Sequence, residues 1–269
     1  MKRWGRLTLR LPALLLVLAG GALLAFGVTL AGWLGLGLQP RNRQRLSRLF
    51  LRLLTRVLPF HVRVEGQLPA SPMLWVANHL SWVDIVLLGG LHPLSFLSKT
   101  EVRRWPLAGW LASEAGTLFI RRGAGDAGLI STRLAERLEQ GLPMLVFPEG
   151  TSLDGTRLGT FHGRLLGSAA LAGVDIQPVA IRYRRNGERD PLAPFTGEQE
   201  LPRHLLQLLM AETGQVLIQL LPALPSEGRS RNELARQSRD LIEQALARPP
   251  TAPSLRSSLN RAPRLPARH

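Results

Sequence analysis

A histidine and an aspartate stand five residues apart directly after an apolar segment. His79 follows the apolar run at 73–78, which is typical of a buried strand. Asp84 is the last residue of the segment NHLSWVD, which begins at residue 78. If His79 precedes a helix and Asp84 lies in its first turn, the carboxylate can accept a hydrogen bond from one ring nitrogen. The other nitrogen can then take a proton from a hydroxyl. No enzymic nucleophile stands nearby, so the pattern predicts a base that activates a hydroxyl of the substrate.

Asp84 also has a simpler explanation. Ser81 and Asp84 have the spacing of a helix-capping box, in which the carboxylate only closes the start of the helix. The H-x-x-x-x-D pair alone is a weak motif, so both interpretations stay open.

A second polar segment, FPEGTS at 147–152, ends another predicted strand. Pro148 stops the strand, and Gly150 allows backbone N–H groups to approach a ligand closely. Glu149 is expected to accept a hydrogen bond from a substrate hydroxyl or to pair with an arginine. The alternative is a strand followed by an ordinary turn.

Three cations stand at the ends of predicted strands. Arg121 and Arg122 follow TLFI, and their guanidinium groups match the geometry of phosphate oxygens, although solvated surface charge is an equally simple explanation. Lys99 ends another predicted strand and is a candidate for the same anionic site.

The charge balance indicates an anionic partner. The chain has 269 residues, with 34 Lys+Arg against 19 Asp+Glu, and a formal net charge of +15. Phospholipid headgroups, nucleic acid and phosphorylated substrates all fit such an excess. The absence of cysteine excludes disulfides, thiolate catalysis and cysteine-based zinc sites. The histidines are scattered, so we expect no dedicated metal site.

The N-terminal region favours a membrane over the other anionic partners. The stretch 11–38 carries no charge and is long enough to cross a bilayer as a helix. A cleaved signal peptide would have a shorter apolar core and a clear cleavage site, so residues 1–40 are predicted to form a retained membrane segment. Its glycines leave open whether it crosses or re-enters. The denser arginine cluster after it predicts a catalytic domain on the cytoplasmic side.

Two flanking regions have their own patterns. Residues 41–60 combine arginines with apolar residues at helical spacing, which predicts an amphipathic helix on anionic lipid, with an ordinary domain helix as the alternative. Residues 249–269 are rich in proline, arginine and serine and are predicted to be a disordered basic tail.

Between 61 and 248, short apolar runs alternate with helical patterns. This alternation predicts a single α/β domain with a mixed, largely parallel sheet flanked by helices, in which chemistry collects where strands end. The predicted strands are 61–65, 73–78, 94–99, 117–121, 143–147, 176–183 and 215–221, and the predicted helices are 82–91, 103–114, 126–140, 162–172, 202–212 and 231–247.

Four segments in order resemble the conserved blocks of the lysophospholipid acyltransferases, the family of bacterial 1-acylglycerol-3-phosphate acyltransferase. NHLSWVD resembles the first block, and GTLFIRR at 116–122 resembles the second, with Phe119 and Arg122 at the matching places. FPEGTS resembles the third block, and IQPVAI at 176–181 the fourth. Together the blocks are spread across most of 61–185.

The resemblance implies the glycerophospholipid acyltransferase fold and a single-step acyl transfer. His79 would deprotonate the hydroxyl of a lysolipid, which then attacks the thioester of acyl-CoA or acyl-carrier protein, while Asp84 orients His79. Arg122, Glu149 and Gly150 would bind the headgroup. Further substrate-binding candidates at or near the blocks are Asn78, Lys99, Phe119 and Thr151. No cofactor or metal is expected beyond the acyl donor.

The third block departs from the family pattern. It commonly reads EGTRS, whereas this chain reads EGTS and places its next arginine at Arg157. The first expectation is 1-acyl-sn-glycerol-3-phosphate as acceptor, giving phosphatidic acid. Because a phosphate-binding arginine is missing, a lyso-ornithine lipid is the alternative acceptor. The expected place is the bacterial inner membrane, with anionic lipid as a partner and no nucleic acid.

Three other classes of function fit the sequence less well. G-x-G-x-x-G at 123–128 resembles a dinucleotide-binding fingerprint, but arginines precede it and Asp126 would face the pyrophosphate with like charge. A serine hydrolase lacks its G-x-S-x-G elbow. A non-enzymatic arginine-rich binder explains the charge but not the polar residues at strand ends.

Overall fold

An eight-stranded mixed sheet forms the centre of the computed structural model, which describes residues 2–104, 106–120, 127–197 and 199–248. The strands are β1 (Phe60–Glu65), β2 (Leu74–Ala77), β3 (Ser95–Lys99), β4 (Leu118–Ile120), β5 (Met144–Val146), β6 (Ile176–Arg185), β7 (Glu188–Arg189) and β8 (Gly214–Leu220). Their order is β1-β8-β6-β2-β5-β3-β4, with β7 paired to β6. Strands β6, β2, β5, β3 and β4 are parallel, and β8 runs antiparallel to β6 and parallel to β1.

Helices cover both faces of this sheet. They are α1 (Lys2–Trp33), α2 (Pro40–Val57), α3 (Trp82–Leu91), α4 (Pro106–Glu114), α5 (Ala127–Glu139), α6 (Gly167–Leu171), α7 (Leu201–Met210) and α8 (Arg231–Ala247). The side chains of β2 alternate between two cores: Trp75 and Ala77 pack with α2, α3 and α7, whereas Leu74 and Val76 pack with α5, α6 and α8. Burial on both faces explains why β2 is apolar throughout.

The predicted elements correspond closely to the observed ones. Each of the seven predicted strands is present within two residues of its predicted ends, and the helices at 82–91 and 231–247 have the predicted bounds. The helix predicted at 162–172 covers only 167–171, because residues 163–166 form turns where Gly163 packs closely against the backbone of Arg231. The short β7 was not predicted. The region predicted as a tail, 249–269, lies outside the described residues.

Helix α1 begins in the charged N-terminal residues, nine residues before the uncharged stretch. Arg6 forms an ion pair with Glu212 at 2.7 Å. Arg10 donates to the carbonyl oxygens of Leu209 and Ala211 at 2.9 and 2.7 Å. These carbonyls lie at the C-terminal end of α7, where a cation is stabilising. The N-terminal end of α1 is therefore fixed to the domain.

Further contacts hold the rest of α1 against the same domain. Gly21 lies directly against the ring of Phe50 in α2, and the Thr29 hydroxyl donates to Glu114 of α4 at 3.1 Å. The span from Arg10 to Thr29 is about 28 Å at the helical rise. By length and composition α1 is able to cross a membrane. Its exposed apolar side chains include Leu9, Leu15, Leu16, Leu23, Phe26 and Trp33.

Helix α2 is a packed helix of the domain with a partly apolar outer surface. Its buried side includes Gln44, whose amide donates to the Ser95 hydroxyl at 2.9 Å and to the Pro143 carbonyl at 3.2 Å. Leu49 and Leu53, two apolar residues on another side of α2, are exposed. The helix ends at Val57, so residue 60, assigned from sequence to the helix, begins β1.

Candidate active site

His79 lies between the end of β2 and the start of α3. Because β2 is flanked by the parallel strands β5 and β6, this position is at the carboxyl edge of the sheet. The His79 Nδ1 atom is 2.9 Å from Oδ2 of Asp84. With Nδ1–H donating to the carboxylate, the other ring nitrogen, Nε2, is a lone-pair acceptor.

The Asp84 carboxylate is fully buried and accepts four hydrogen bonds. Besides the His79 ring, Oδ2 accepts from the backbone N–H groups of Leu80 at 2.7 Å and Ser81 at 2.9 Å. Oδ1 accepts from the Tyr183 hydroxyl at 2.5 Å. These donors offset the cost of burying the charge. One carboxylate therefore both closes the start of α3 and contacts His79, and the catalytic role of Asp84 stays a prediction.

The FPEGTS segment and the residue after it hold His79 itself. Oε2 of Glu149 accepts from the His79 backbone N–H at 2.7 Å, and Leu153 N–H donates to the His79 carbonyl at 2.9 Å. The Phe147 ring stacks on the imidazole with a centroid distance of 3.9 Å. Backbone, ring face and Nδ1 of His79 are all engaged, and its Nε2 forms no hydrogen bond within the described residues.

Glu149 and Gly150 are explained by the loop in which they lie. Glu149 is 8% exposed, and its Oε1 accepts from Gly159 N–H at 2.8 Å. Burial raises the pKa of this carboxyl, although the two N–H donors oppose that rise. Gly150 has a φ of 72° and donates its N–H to the Phe147 carbonyl, so a turn accounts for the glycine. Their direct contact with a headgroup stays a prediction, as does that of the exposed Thr151.

Asn78 joins two strands. Its side-chain amide donates to the Ile181 carbonyl at 3.0 Å and accepts from the Ile181 N–H at 2.8 Å. Both ends of the amide therefore bind the β6 backbone. Asn78 also lines the cavity described below, so substrate contact stays a prediction.

The second block lies farther from His79. Phe119 is in β4, three strands from β2, or about 14 Å at normal strand spacing. Its ring faces the Arg103 guanidinium at 5.8 Å. Lys99 ends β3, two strands from β2, and its side chain is outside the described part of the chain, as are Arg121 and Arg122.

Tyr183 was missed in the sequence. It is 2% exposed on β6, two residues beyond Ile181 on the same side of the strand. Burial, followed by the negative charge of Asp84, raises the pKa of its phenol well above the ordinary value, so the hydroxyl stays protonated and donates. A buried tyrosine hydroxyl needs a hydrogen-bond partner, and this requirement was the available signal.

A cavity of about 670 Å³ opens beside His79. It is bounded by β6, by the loop after Glu149 and by the C-terminal end of α8. Arg182 donates to the Ala245 and Arg248 carbonyls, both at 2.9 Å, and so fixes that end of α8. The excess of cationic side chains in the lining suits an anionic substrate: Arg157, Arg182, Arg184, Arg189 and Arg248 against Glu149 and Glu243.

This arrangement is suited to moving a proton from a hydroxyl. Among the described residues no group of three or more His, Asp or Glu side chains is arranged to hold a metal ion. The described residues provide a histidine whose tautomer is set by a buried carboxylate, beside a cationic cavity.

Comparisons with known proteins identify the family of the chain. A family model described as Acyltransferase matches residues 60–182. The lyso-ornithine lipid O-acyltransferase of Pseudomonas aeruginosa is 57% identical over 231 residues, covering 83% of this chain and 89% of the relative. The chain belongs to the lysophospholipid acyltransferase family.

A more distant relative and one solved structure are also similar to the chain. The 1-acyl-sn-glycerol-3-phosphate acyltransferase of Neisseria meningitidis is 31% identical over 173 residues, covering 63% of this chain and 68% of the relative. The crystal structure of the 1-acyl-sn-glycerophosphate (LPA) acyltransferase PlsC from Thermotoga maritima has a TM-score of 0.60 at 21% identity, covering 88% of this chain and 96% of that chain. The predicted fold and the predicted acyltransferase activity are confirmed.

The rival functions do not fit this acyltransferase. In a dinucleotide fold the strands before and after the glycine-rich turn are neighbours, whereas β3 separates β4 from β5 here. Residues 123–126 of the glycine motif lie outside the described residues. The Ser152 hydroxyl donates to the Phe195 carbonyl, which is not the arrangement of a hydrolase nucleophile.

Proposed function

We propose that this acyltransferase transfers a fatty acyl group from acyl-CoA or acyl-carrier protein to the hydroxyl of a lyso-ornithine lipid, without a further cofactor. The observation that carries the reaction type is the His79–Asp84 contact at 2.9 Å beside the cavity. This contact leaves Nε2 of His79 available to accept the proton of the lysolipid hydroxyl.

The proposed reaction uses one proton carrier. Nε2 of His79 takes the proton of the acceptor hydroxyl as its oxygen attacks the thioester carbonyl carbon. The tetrahedral intermediate collapses, the C–S bond breaks, and the imidazolium returns the proton to the leaving thiolate. An ester and a free thiol result, and Asp84 stabilises the imidazolium while it exists.

Two observations favour the ornithine headgroup. Four lyso-ornithine lipid O-acyltransferases match the chain at 33–57% identity. In addition, Ser152 stands where the family commonly has arginine, and its hydroxyl is bound to the Phe195 carbonyl. An ornithine headgroup carries a carboxylate and an amine in place of a phosphate, so it has less need of that arginine. This reverses the order in which the two acceptors were expected.

Lysophosphatidate is the second candidate. It is supported by the similarity to the Neisseria enzyme and by the arginines of the cavity lining, including Arg157, Arg184 and Arg189. Guanidinium groups are suitable partners for a phosphate monoester.

We further propose that the enzyme binds the inner face of the bacterial cytoplasmic membrane through α1 and the outer side of α2. Because the domain contacts α1 from Arg6 to Thr29, a lengthwise placement of α1 in one leaflet fits better than a perpendicular crossing. The exposed leucines of α1 would enter the lipid, and the α2 arginines would contact anionic headgroups.

An acceptor panel tests the proposed function. Purified full-length enzyme in phosphatidylglycerol vesicles is given lyso-ornithine lipid or 1-acyl-sn-glycerol-3-phosphate, each with acyl-CoA or acyl-carrier protein, and products are measured by mass spectrometry. We expect the ornithine acceptor to have the higher kcat/KM. A preference for the phosphate acceptor would support the second candidate, and no acylated product with either would refute both.

The same assay tests the base. His79→Ala is expected to lose about 10²–10⁴-fold in kcat, the usual contribution of a general base. Because the ring lies at the cavity edge, the variant should keep the wild-type circular dichroism spectrum. Turnover within threefold of wild type would overturn the mechanism.

A further inference from the structure

Tyr183 contacts the Asp84 oxygen that does not face His79. Oδ2 receives the imidazole and two backbone N–H groups, whereas Oδ1 receives the Tyr183 hydroxyl at 2.5 Å. Both partners are buried, Asp84 at 0% and Tyr183 at 2% exposure. The carboxylate is therefore held from both oxygens, with a neutral donor on one of them.

The backbone directs Tyr183 to this place. Strand β2 ends at Ala77, which pairs with Val179, and β6 continues six residues farther, to Arg185. The Asn78 amide fixes Ile181 beside the end of β2. Alternation along β6 then puts Tyr183 on the same side as Ile181, facing the start of α3. The Phe60 ring packs edge-on against the phenol at a centroid distance of 5.4 Å.

We propose that Tyr183 is a positioning residue of the acyl-transfer reaction: its hydroxyl fixes the Asp84 carboxylate and draws charge from it, and so sets how strongly His79 holds a proton. This proposal rests on the proposed base role of His79. Tyr183 lines the cavity wall, but the proposed action passes through Asp84 and requires no contact with the acceptor.

Removal of the hydroxyl has a defined electrostatic direction. Without the phenol donor, the negative charge of Asp84 is less dispersed and stabilises the imidazolium more strongly. His79 would then hold its proton to higher pH and be a less available base near neutrality. Other charged groups nearby are Glu149 after β5, which acts on His79, and Asp190 after β7, which acts on Tyr183. Arg182 and Arg184 flank Tyr183 on β6 and line the cavity. All of these groups stay in place when only the Tyr183 hydroxyl is removed.

A purely structural hydrogen bond makes a different prediction. It would lower stability without moving the pH dependence of turnover. Ser226→Ala is a matched control, because the Ser226 hydroxyl is also buried and donates to the Val174 carbonyl at 2.7 Å, in a bond that does not involve the His79–Asp84 pair. Its loss should lower Tm and leave the pH profile unchanged.

The first measurement is the pH profile of kcat/KM for Tyr183→Phe. We expect about a tenfold loss at pH 7 and a displacement of the acid limb by up to about one pH unit toward higher pH. KM for the acyl donor should stay within twofold. A wild-type pH profile, after correction for the folded fraction, would overturn the proposal.

The second measurement is a ¹⁹F titration, which needs no substrate and keeps the Tyr183 hydroxyl. Tyr183 is the chain's single tyrosine, so 3-fluorotyrosine introduced biosynthetically labels this site alone. We expect its ¹⁹F resonance to titrate with pH and to lose that transition in His79→Ala. The fluorinated phenol is a stronger donor, so the acid limb of kcat/KM should move toward lower pH.

These two measurements separate the proposals. If no lysolipid is acylated, the proposed function fails, and the ¹⁹F titration alone decides whether Tyr183 is coupled to His79. If Tyr183→Phe does not fold, the fluorinated enzyme supplies both readouts. A ¹⁹F resonance that behaves identically with and without His79 would refute the coupling.

Discussion

The two carboxylate oxygens of Glu149 accept hydrogen bonds from the backbone N–H groups of His79 and Gly159, which belong to different loops. A carboxylate in this position fixes the height of His79 above the sheet edge. Burial raises the pKa of the Glu149 carboxyl, and the two N–H donors oppose that rise. The carboxylate and its two donors therefore stabilise one another. At the scale of single residues, the acidic group of the FPEGTS segment holds the backbone of His79, the proposed base.

Glu149→Gln is expected to reduce kcat by about 10²-fold or more, because a misplaced base loses effective orientation. The glutamine NH₂ group would face a backbone N–H that needs an acceptor, so a stability loss of about 1–3 kcal/mol should accompany it. Turnover and thermal melting measure the two effects.

Glu243→Gln is the matched control for Glu149→Gln. Glu243 also lines the cavity, but it is exposed and forms its ion pair with Arg239 on the surface. The control should retain near-normal turnover and Tm. Equal losses in both variants would show that cavity charge, and not the hold on His79, is responsible.

His92 makes stability depend on pH. Burial, assisted by the charge of Arg48, lowers its pKa to about 4, and its ring stacks on Trp75. The unfolded chain binds a proton below the ordinary value of about 6.5, whereas the folded chain does not, so stability falls as pH decreases from 6.5 toward 4. The loss contributed by His92 reaches roughly 3 kcal/mol at the acid end.

Thermal melts at pH 7.5 and 5 test this prediction. In His92→Gln the decrease in Tm between the two pH values should be smaller than in wild type. His61→Gln replaces an exposed histidine on β1 and serves as control, with the wild-type decrease. The prediction fails if His92→Gln loses as much Tm on acidification as wild type does.

At the scale of elements, α1 and α2 touch through a glycine. A Cβ atom at Gly21 would come within 2.3 Å of the Phe50 ring, whereas a Cβ at Gly20 would meet no atom within 4 Å. Both positions lie inside helix α1, so replacing either glycine with alanine should raise helix propensity by the same amount, about 1 kcal/mol. They differ in the packing of α1 on α2.

Gly21→Ala is therefore expected to be less stable than Gly20→Ala by about 1–3 kcal/mol, the usual cost of overpacking. Gly20→Ala should match or exceed wild-type Tm. Thermal melts in detergent, with vesicle-bound activity as a second readout, compare the pair. Equal Tm values would show that α1 does not pack on α2 as described.

The elements that sequence patterns predicted are those with local causes. The continuous apolar run of β2 is visible in the sequence and predicts a strand that is buried on both faces. The start of α8 is marked by its own capping box at Ser230 and Glu233. The docking of α1 was not predictable, because Arg10 binds carbonyls about 200 residues away, near the end of α7. No local pattern encodes such a contact.

The same distinction applies to the candidate site. His79 and Asp84 are five residues apart, so a turn brings them together and spacing revealed the pair. Tyr183 is 99 residues from Asp84 and reaches it only through the register of β6 against β2. Sheet register was not available from one sequence, so this donor and the hold of Glu149 on His79 were missed.

For the whole molecule, a net charge of +15 and the exposed apolar side of α1 are expected to act together at the proposed lipid surface. Electrostatic attraction weakens with salt, since screening lengths shorten to about 3 Å at 1 M, whereas apolar insertion does not. We expect co-sedimentation with phosphatidylglycerol vesicles at low salt and only partial release at 1 M salt.

Vesicle composition supplies the control for this binding. Phosphatidylcholine vesicles should bind the protein more weakly at low salt and to a similar extent at 1 M. Complete release from both vesicles at 1 M would show that charge alone holds the protein, contrary to a role for the leucines of α1.

Three loops that meet at His79 have a consequence for redesign. Leu153 N–H binds the His79 carbonyl, the Ser152 hydroxyl binds the Phe195 carbonyl, and Phe195 N–H binds the Leu80 carbonyl at 2.8 Å. The loops therefore form a closed ring of contacts. An engineer who grafts only the 150–158 loop from a homologue with another acceptor would break that ring at two points. Chimeras should exchange the 150–158 and 192–196 loops as one module.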